Sequence, residues 1–130
     1  MADATYREGD QVTTGGLYRR IYPNRDYYKD NRATSNNFVP DRGEDDVSLY
    51  RAAERSPSEV LEGHENFGLL EIEAAVLWAM GKRVIYTPSK GGKGHVSAYG
   101  FTKKDVEPRR NAAVASRVLI PPTIPERPTT

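Results

Sequence analysis

Three short stretches of the chain hold residue types that could act together, and they occur in a fixed order. Arg19 lies in LYRR, Thr34 and Ser35 lie in ATSNNF, and Glu71 and Glu73 lie in FGLLEIEAA. An arginine can hold a phosphate. Hydroxyls can order a polar pocket, and a carboxylate can stabilise positive charge developing in a transition state. On a strand, Glu71 and Glu73 share one face. Each also has an ordinary structural reason for its place. Glu73 precedes AAVLWAM, where an acid suits a helix N-terminus. Glu71 needs only to be the wet face of a strand whose Leu70 and Ile72 point inward.

A second set of residues is basic. Lys82, Arg83, Lys90, Lys93, Lys103, Lys104, Arg109, Arg110 and Arg117 fall in the second half of the chain, with Tyr86, Tyr99 and Phe101 among them. Cations beside aromatic platforms suit single-stranded nucleic acid. Lys90, Lys93, Lys103, Lys104, Arg109 and Arg110 are therefore the candidates for anion or nucleic-acid binding. The loop SKGGKGH offers backbone amides and lysines, but it lacks the order of a phosphate-binding P-loop, so a flexible hairpin loop is expected. His64 and His95 stand apart without metal-ligand spacing, and no metal is expected. Cysteine is absent, which excludes a disulfide scaffold, a cysteine zinc site and a thiol nucleophile.

The elements that must position these groups follow from pattern. The length of 130 residues fits one domain. Alternation and turn signals predict strands over 17–22, 33–39, 47–52, 66–73, 82–87 and 95–101. The strands 82–87 and 95–101 are expected to pair as a hairpin. Ser56, Pro57 and Glu59 form a capping box that opens a short helix. AAVLWAM is a second helix closed by Gly81, with Trp78 expected in the core, and a third is expected from Thr102. The reading is an α+β fold: a small mixed or antiparallel sheet of five or six short strands with two or three short helices. An extended arm over 1–16 precedes the domain at 17–118, and a proline-rich tail at 119–130 follows it. The start of the chain lacks the apolar stretch of a secretory signal, and no run matches a membrane span, so a cytoplasmic protein is expected.

The order of the three motifs resembles that of ADP-ribosyltransferases of the Arg-Ser-Glu class. "LYRR" stands where that class has its first-strand arginine, "ATSNNF" stands for the Ser/Thr strand and "EIE" for the E-x-E strand. The resemblance implies NAD as cofactor, with Arg19 on its phosphates, Ser35 ordering the nicotinamide-ribose pocket and Glu73 on the ribose hydroxyl. The RES-domain toxins, which pair an early "YR" with later Ser and Glu, are similar in the same respect. A further pattern, LYRRI with S-x-x-F, D-x-x-S-x-Y and a closing GH-V strand, resembles small bacterial proteins of no established activity. It implies a bacterial or phage origin and a compact α+β unit.

Charge is segregated along the chain. Residues 41–73 carry three basic and ten acidic residues, and residues 74–117 carry nine basic and two acidic. Either the halves fold against one another or they present two charged faces to different partners. The arms could wrap a neighbouring subunit. The leading expectation is a non-catalytic protein-interaction or assembly component without a cofactor, which binds a protein partner or itself through arms and charged faces. The NAD-dependent transferase using Arg19, Ser35 and Glu73, with Glu71 beside it, is one alternative. Single-stranded nucleic-acid binding through the basic half is the other.

Overall fold

A computed structural model describes residues 5–125. Its strands are β1 Gly16–Ile21, β2 Tyr28–Lys29, β3 Arg32–Ala33, β4 Asp46–Arg51, β5 Gly68–Glu73, β6 Arg83–Tyr86, β7 His95–Tyr99 and β8 Arg117–Ile120. Its helices are α1 Pro57–Val60, α2 Ala74–Ala79, α3 Pro88–Gly91 and α4 Val106–Ala115, with a 3-10 turn at Ser35–Phe38. Six strands form one antiparallel sheet in the order β6-β7-β4-β1-β5-β8, and β2 and β3 form a separate small hairpin. The fold is α+β, as the sequence suggests.

Strand alternation divides the sheet into two unlike faces. Leu17, Ile21, Val47, Leu49, Leu70, Ile72, Val84 and Val96 point to one side, where they join Phe38, Leu77, Phe101 and Ala112 in the main core. The opposite side is mostly polar: Tyr18 pairs with Tyr50 and Glu71, Ser48 with Ser97, and Tyr50 with His95. A small apolar patch of Tyr50, Val60 and Leu69 lets α1 dock there. The start of α1 follows its sequence signature. Ser56 Oγ accepts from Glu59 N at 3.2 Å, and Glu59 Oε1 accepts from Ser56 N at 3.0 Å, with Pro57 in the first helical position.

Several local expectations are corrected. In ATSNNF, Ala33 ends the two-residue β3 and Ser35–Phe38 form a 3-10 turn, so the expected strand over 33–39 does not form. The Asn37 side chain donates to Tyr27 O at 2.8 Å and to Thr34 O at 3.0 Å, which is how asparagine competes with a strand ladder. The glycine loop between β6 and β7 folds its first residues into α3, although the two strands do pair. Trp78 is only partly buried, and its indole N–H donates to Val12 O at 2.7 Å.

Both arms belong to the fold as far as they are described. Gly9 N donates to Tyr86 O, Tyr86 N to Asp10 O and Val12 N to Val84 O, at 2.7, 2.8 and 2.9 Å, so the N-terminal arm covers the β6 edge. Val12 is fully buried. At the other end β8 pairs with β5, and Thr123 N donates to Asn66 O at 2.9 Å. The prolines follow the strand and so do not interrupt its ladder. A domain limited to 17–118 would omit Val12 and cut β8. Residues 1–4 and 126–130 of the two arms lie outside the described residues.

The acidic and basic segments neutralise one another in part. Lys90 meets Asp46 at 2.8 Å and Glu44 at 3.4 Å, and Arg117 meets Glu71 at 2.7 Å. Among the described residues, no helix is long and apolar enough to cross a membrane.

Candidate anion-binding cleft

Beyond Tyr18 and Tyr50 the ladder between β1 and β4 stops. The two strands part, and a cleft of about 360 Å³ opens there. Arg19 bridges the gap. Its Nε donates to Asn37 O at 2.9 Å and its Nη1 to Ser48 O at 3.0 Å, so a side chain takes a carbonyl that a neighbouring strand would otherwise satisfy. Its Nη2 stands 4.0 Å from the exposed Asp41 carboxylate. Burial pushes the Arg19 pKa below the usual arginine range, and Asp41 works against that shift.

Five basic side chains line this cleft, Arg19, Arg20, His64, Lys90 and His95, and Asp41 is the one acid among the lining residues. Arg20 is tethered through Nε to Val60 O at 2.7 Å, with its guanidinium carbon 5.2 Å from the centre of the Tyr50 ring. Its terminal nitrogens take no protein acceptor among the described residues. Lys90 is held by Asp46 and Glu44, and its pKa is raised chiefly by the hydrogen bond to Asp46. Burial works against the Asp46 charge, but the Lys90 ammonium outweighs it and holds the Asp46 pKa below the usual carboxylate value. Tyr22 and Phe67 form an aromatic wall with centroids 5.0 Å apart.

The two histidines are fixed in the same way. His95 Nδ1 lies 3.1 Å from Thr87 O and 2.9 Å from Thr87 Oγ1, and His64 Nδ1 lies 2.9 Å from Glu62 O. A carbonyl only accepts, so each Nδ1 carries the proton and each Nε2 is left as the ring's free nitrogen. His95 is almost wholly buried, edge-on to Tyr50. Desolvation lowers its pKa, although the Thr87 carbonyl opposes that shift. Gly91 sits directly against this ring, where an added Cβ would collide with it. His64 is half-buried and edge-on to Phe67.

The residues singled out from sequence are scattered by the fold. Arg19 pairs with Leu70, whereas Tyr18 pairs with Glu71 and Gly16 with Glu73. Arg19 projects from the core face and the two glutamates from the other, and of Arg19, Ser35, Glu71 and Glu73 only Arg19 lines the cleft, which corrects the Arg-Ser-Glu arrangement. Glu71 is bound to Arg117, and Glu73 occupies the N-cap position of α2, exposed and without a side-chain hydrogen bond to the helix. Ser35 contributes its carbonyl, which accepts from Arg109 Nη1 at 3.2 Å. Arg109 is buried and also bonds to Lys103 O at 2.9 Å, so it is a structural clamp and not a surface cation. Lys103, Lys104 and Arg110 are exposed on and before α4, and Lys93 gives its carbonyl to Arg55 at 2.6 Å. Of the basic set, Lys90 alone lines the cleft.

Arg20, His64 and His95 form the part of the site that motif spacing does not reveal. They come from β1, the α1–β5 loop and β7, brought together because β4 carries β7 and β1 on its two edges. Glu44, Asp45 and Asp46 lie close enough to share a cation, but the Lys90 ammonium already occupies that position against Glu44 and Asp46. Compared with protein-family models, with curated proteins and with solved structures, the chain finds no match, and its site is read from its own geometry.

Proposed function

We propose that the cleft binds the phosphate backbone of a short single-stranded nucleic acid. The observation that carries this reading is the convergence of Arg19, Arg20, Lys90 and two imidazoles on one cleft of about 360 Å³. A group of nucleotide size fits a cavity of that order. Arg20 presents its free terminal nitrogens to a phosphate, a planar fork suited to two oxygens at once. Tyr22 and Phe67 give a base a surface to stack on. The exposed cations of α4 are secondary.

Binding of a fluorescent twelve-nucleotide single strand, followed by anisotropy, tests this. Arg20→Ala should weaken binding about tenfold or more and flatten its salt dependence. Arg110→Ala should leave binding nearly unchanged. The reverse order of effects would move the site to α4 and end this reading.

A second reading, self-assembly, draws on the opposite edge of the sheet. No strand covers the outer edge of β8 among the described residues, and Val114, Leu119 and Ile120 are exposed beside it. A second copy could pair there antiparallel about a twofold axis, since an unprotected apolar edge is a template for strand addition. Leu119→Lys should then abolish a dimer seen by sedimentation. A wild-type chain that stays monomeric at high concentration would refute the idea.

A further inference from the structure

We infer that His95 and His64 act as a base and acid pair that cleaves RNA by transfer of the phosphate to the neighbouring 2′-hydroxyl. This rests on the nucleic-acid reading of the cleft and adds a reaction to it. The geometric basis is the matched pair of locked imidazoles. In both rings a backbone carbonyl holds Nδ1, at 3.1 Å for His95 and 2.9 Å for His64, and both rings line the cleft that holds Arg19 and Arg20. Burial alone accounts for a ring N–H held by a carbonyl, but not for two such rings lining one cleft with Arg19 and Arg20. Two in one cleft match the needs of a reaction with one proton to remove and one to donate.

The step balances with groups already present. His95 Nε2 takes the proton of the 2′-hydroxyl. The freed oxygen attacks the adjacent phosphorus and a new P–O bond forms. The bond from phosphorus to the 5′-oxygen breaks, and that oxygen takes the proton carried by the His64 imidazolium. The products are a 2′,3′-cyclic phosphate and a 5′-hydroxyl end. Nothing is oxidised or reduced, and the nucleophile belongs to the substrate. Arg19 and Arg20 face the charge that builds on the phosphoryl oxygens, where fixed cations in a sheltered site act most strongly. The roles are assigned by position: His95 is almost wholly buried at the floor of the cleft and is given the base, whereas the half-buried His64 reaches solvent, where the leaving 5′-oxygen departs.

The test uses the whole chain and a twelve-nucleotide RNA labelled at its 5′-end, beside the same sequence as DNA and as 2′-O-methyl RNA. RNA should be cut to fragments ending in cyclic phosphate, and the other two should bind equally and remain intact. His64→Gln and His95→Asn should each lower the single-turnover rate by about 10²-fold or more, whereas their binding of the 2′-O-methyl strand should fall less than that of Arg20→Ala. His95 is buried, so its variant is checked for folding by circular dichroism, and the half-buried His64 provides the independent case. Binding that depends on Arg20 without any cleavage would overturn the catalytic inference and leave the binding reading standing. Absence of both binding and cleavage would overturn both. Cleavage of DNA, or cleavage unchanged in His64→Gln, would also exclude the proposed pair.

Discussion

Arg19 and Arg109 are two buried arginines that grip the same 3-10 turn from opposite ends. Arg19 donates to Asn37 O at 2.9 Å, and Arg109 donates to Ser35 O at 3.2 Å. Each also reaches a second carbonyl, Ser48 O for Arg19 and Lys103 O for Arg109. By burial and by bonding they are alike. They differ in what lies beyond the guanidinium. Arg19 borders an open cleft with four other basic side chains, whereas Arg109 borders none of the clefts described and leaves its Nε buried without a partner. A buried charge bonded to carbonyls is therefore not in itself a site. It becomes one where the remaining N–H groups meet space and further cations.

The largest effects should come from deleting either clamp. Arg109→Met leaves the Ser35 and Lys103 carbonyls unpaired, and a buried acceptor without a donor costs about 1–3 kcal/mol. A loss of about 3 kcal/mol in urea denaturation is expected, with oligonucleotide binding retained by the protein that remains folded. Arg19→Met should cost a similar amount and also weaken binding about tenfold or more. Equal binding losses in the two variants would erase the distinction drawn between them.

The sequence made this pair only half legible. By alternation a strand over LYRRIY puts Leu17, Arg19 and Ile21 on one face, and all three are buried; SPSE likewise signals its capping box. The pairing of β6 with β7 followed from the glycines between them. Yet a basic residue in a helical run reads the same whether it is exposed like Arg110 or buried like Arg109. What buries Arg109 is the turn at Ser35–Phe38, more than seventy residues away in the chain. The cleft was hidden for the same reason. His95 is on β7 and His64 precedes β5, so they are brought together by the β7-β4-β1-β5 order, and no local spacing encodes that order. The prolines of the tail suggest an unpaired end, but the Val118-Leu119-Ile120 run that precedes them carries the β5 pairing. ATSNNF misled because asparagine side chains bond the backbone that a strand would need.

A smaller effect should separate the two regions by pH. His95 has its pKa lowered, first by desolvation, with Asp46 opposing the shift and Lys90 and Arg55 adding to it. The unfolded chain then binds a proton near the ordinary histidine value of about 6.5, while the folded chain does not. Stability from this group is complete above that pH and declines as the pH falls below it, until the folded-state value is reached. His95→Asn should reduce the decline measured between pH 7 and 5. The Arg109 clamp contains no group that titrates there, so Arg109→Met should leave the slope unchanged. A wild-type slope that persists in His95→Asn would place the titration elsewhere.

The smallest effect is the coupling between the two clamps. If the turn at Ser35–Phe38 is a rigid unit, loosening it at Ser35 should already free part of what Arg19 holds at Asn37. The Asn37 side chain stiffens the unit through Tyr27 O and Thr34 O, and Phe38 anchors it in the core against Phe101, with ring centroids 5.5 Å apart. The double variant Arg19→Met with Arg109→Met should then be less destabilised than the sum of the single variants by about 0.5–1 kcal/mol, since groups acting through one shared element are not additive. Additivity within about 0.3 kcal/mol would show two independent clamps on a turn that bends between them. In that case Arg109 could not influence the cleft through the turn, and any binding loss in Arg109→Met would have to come from the Lys103 side.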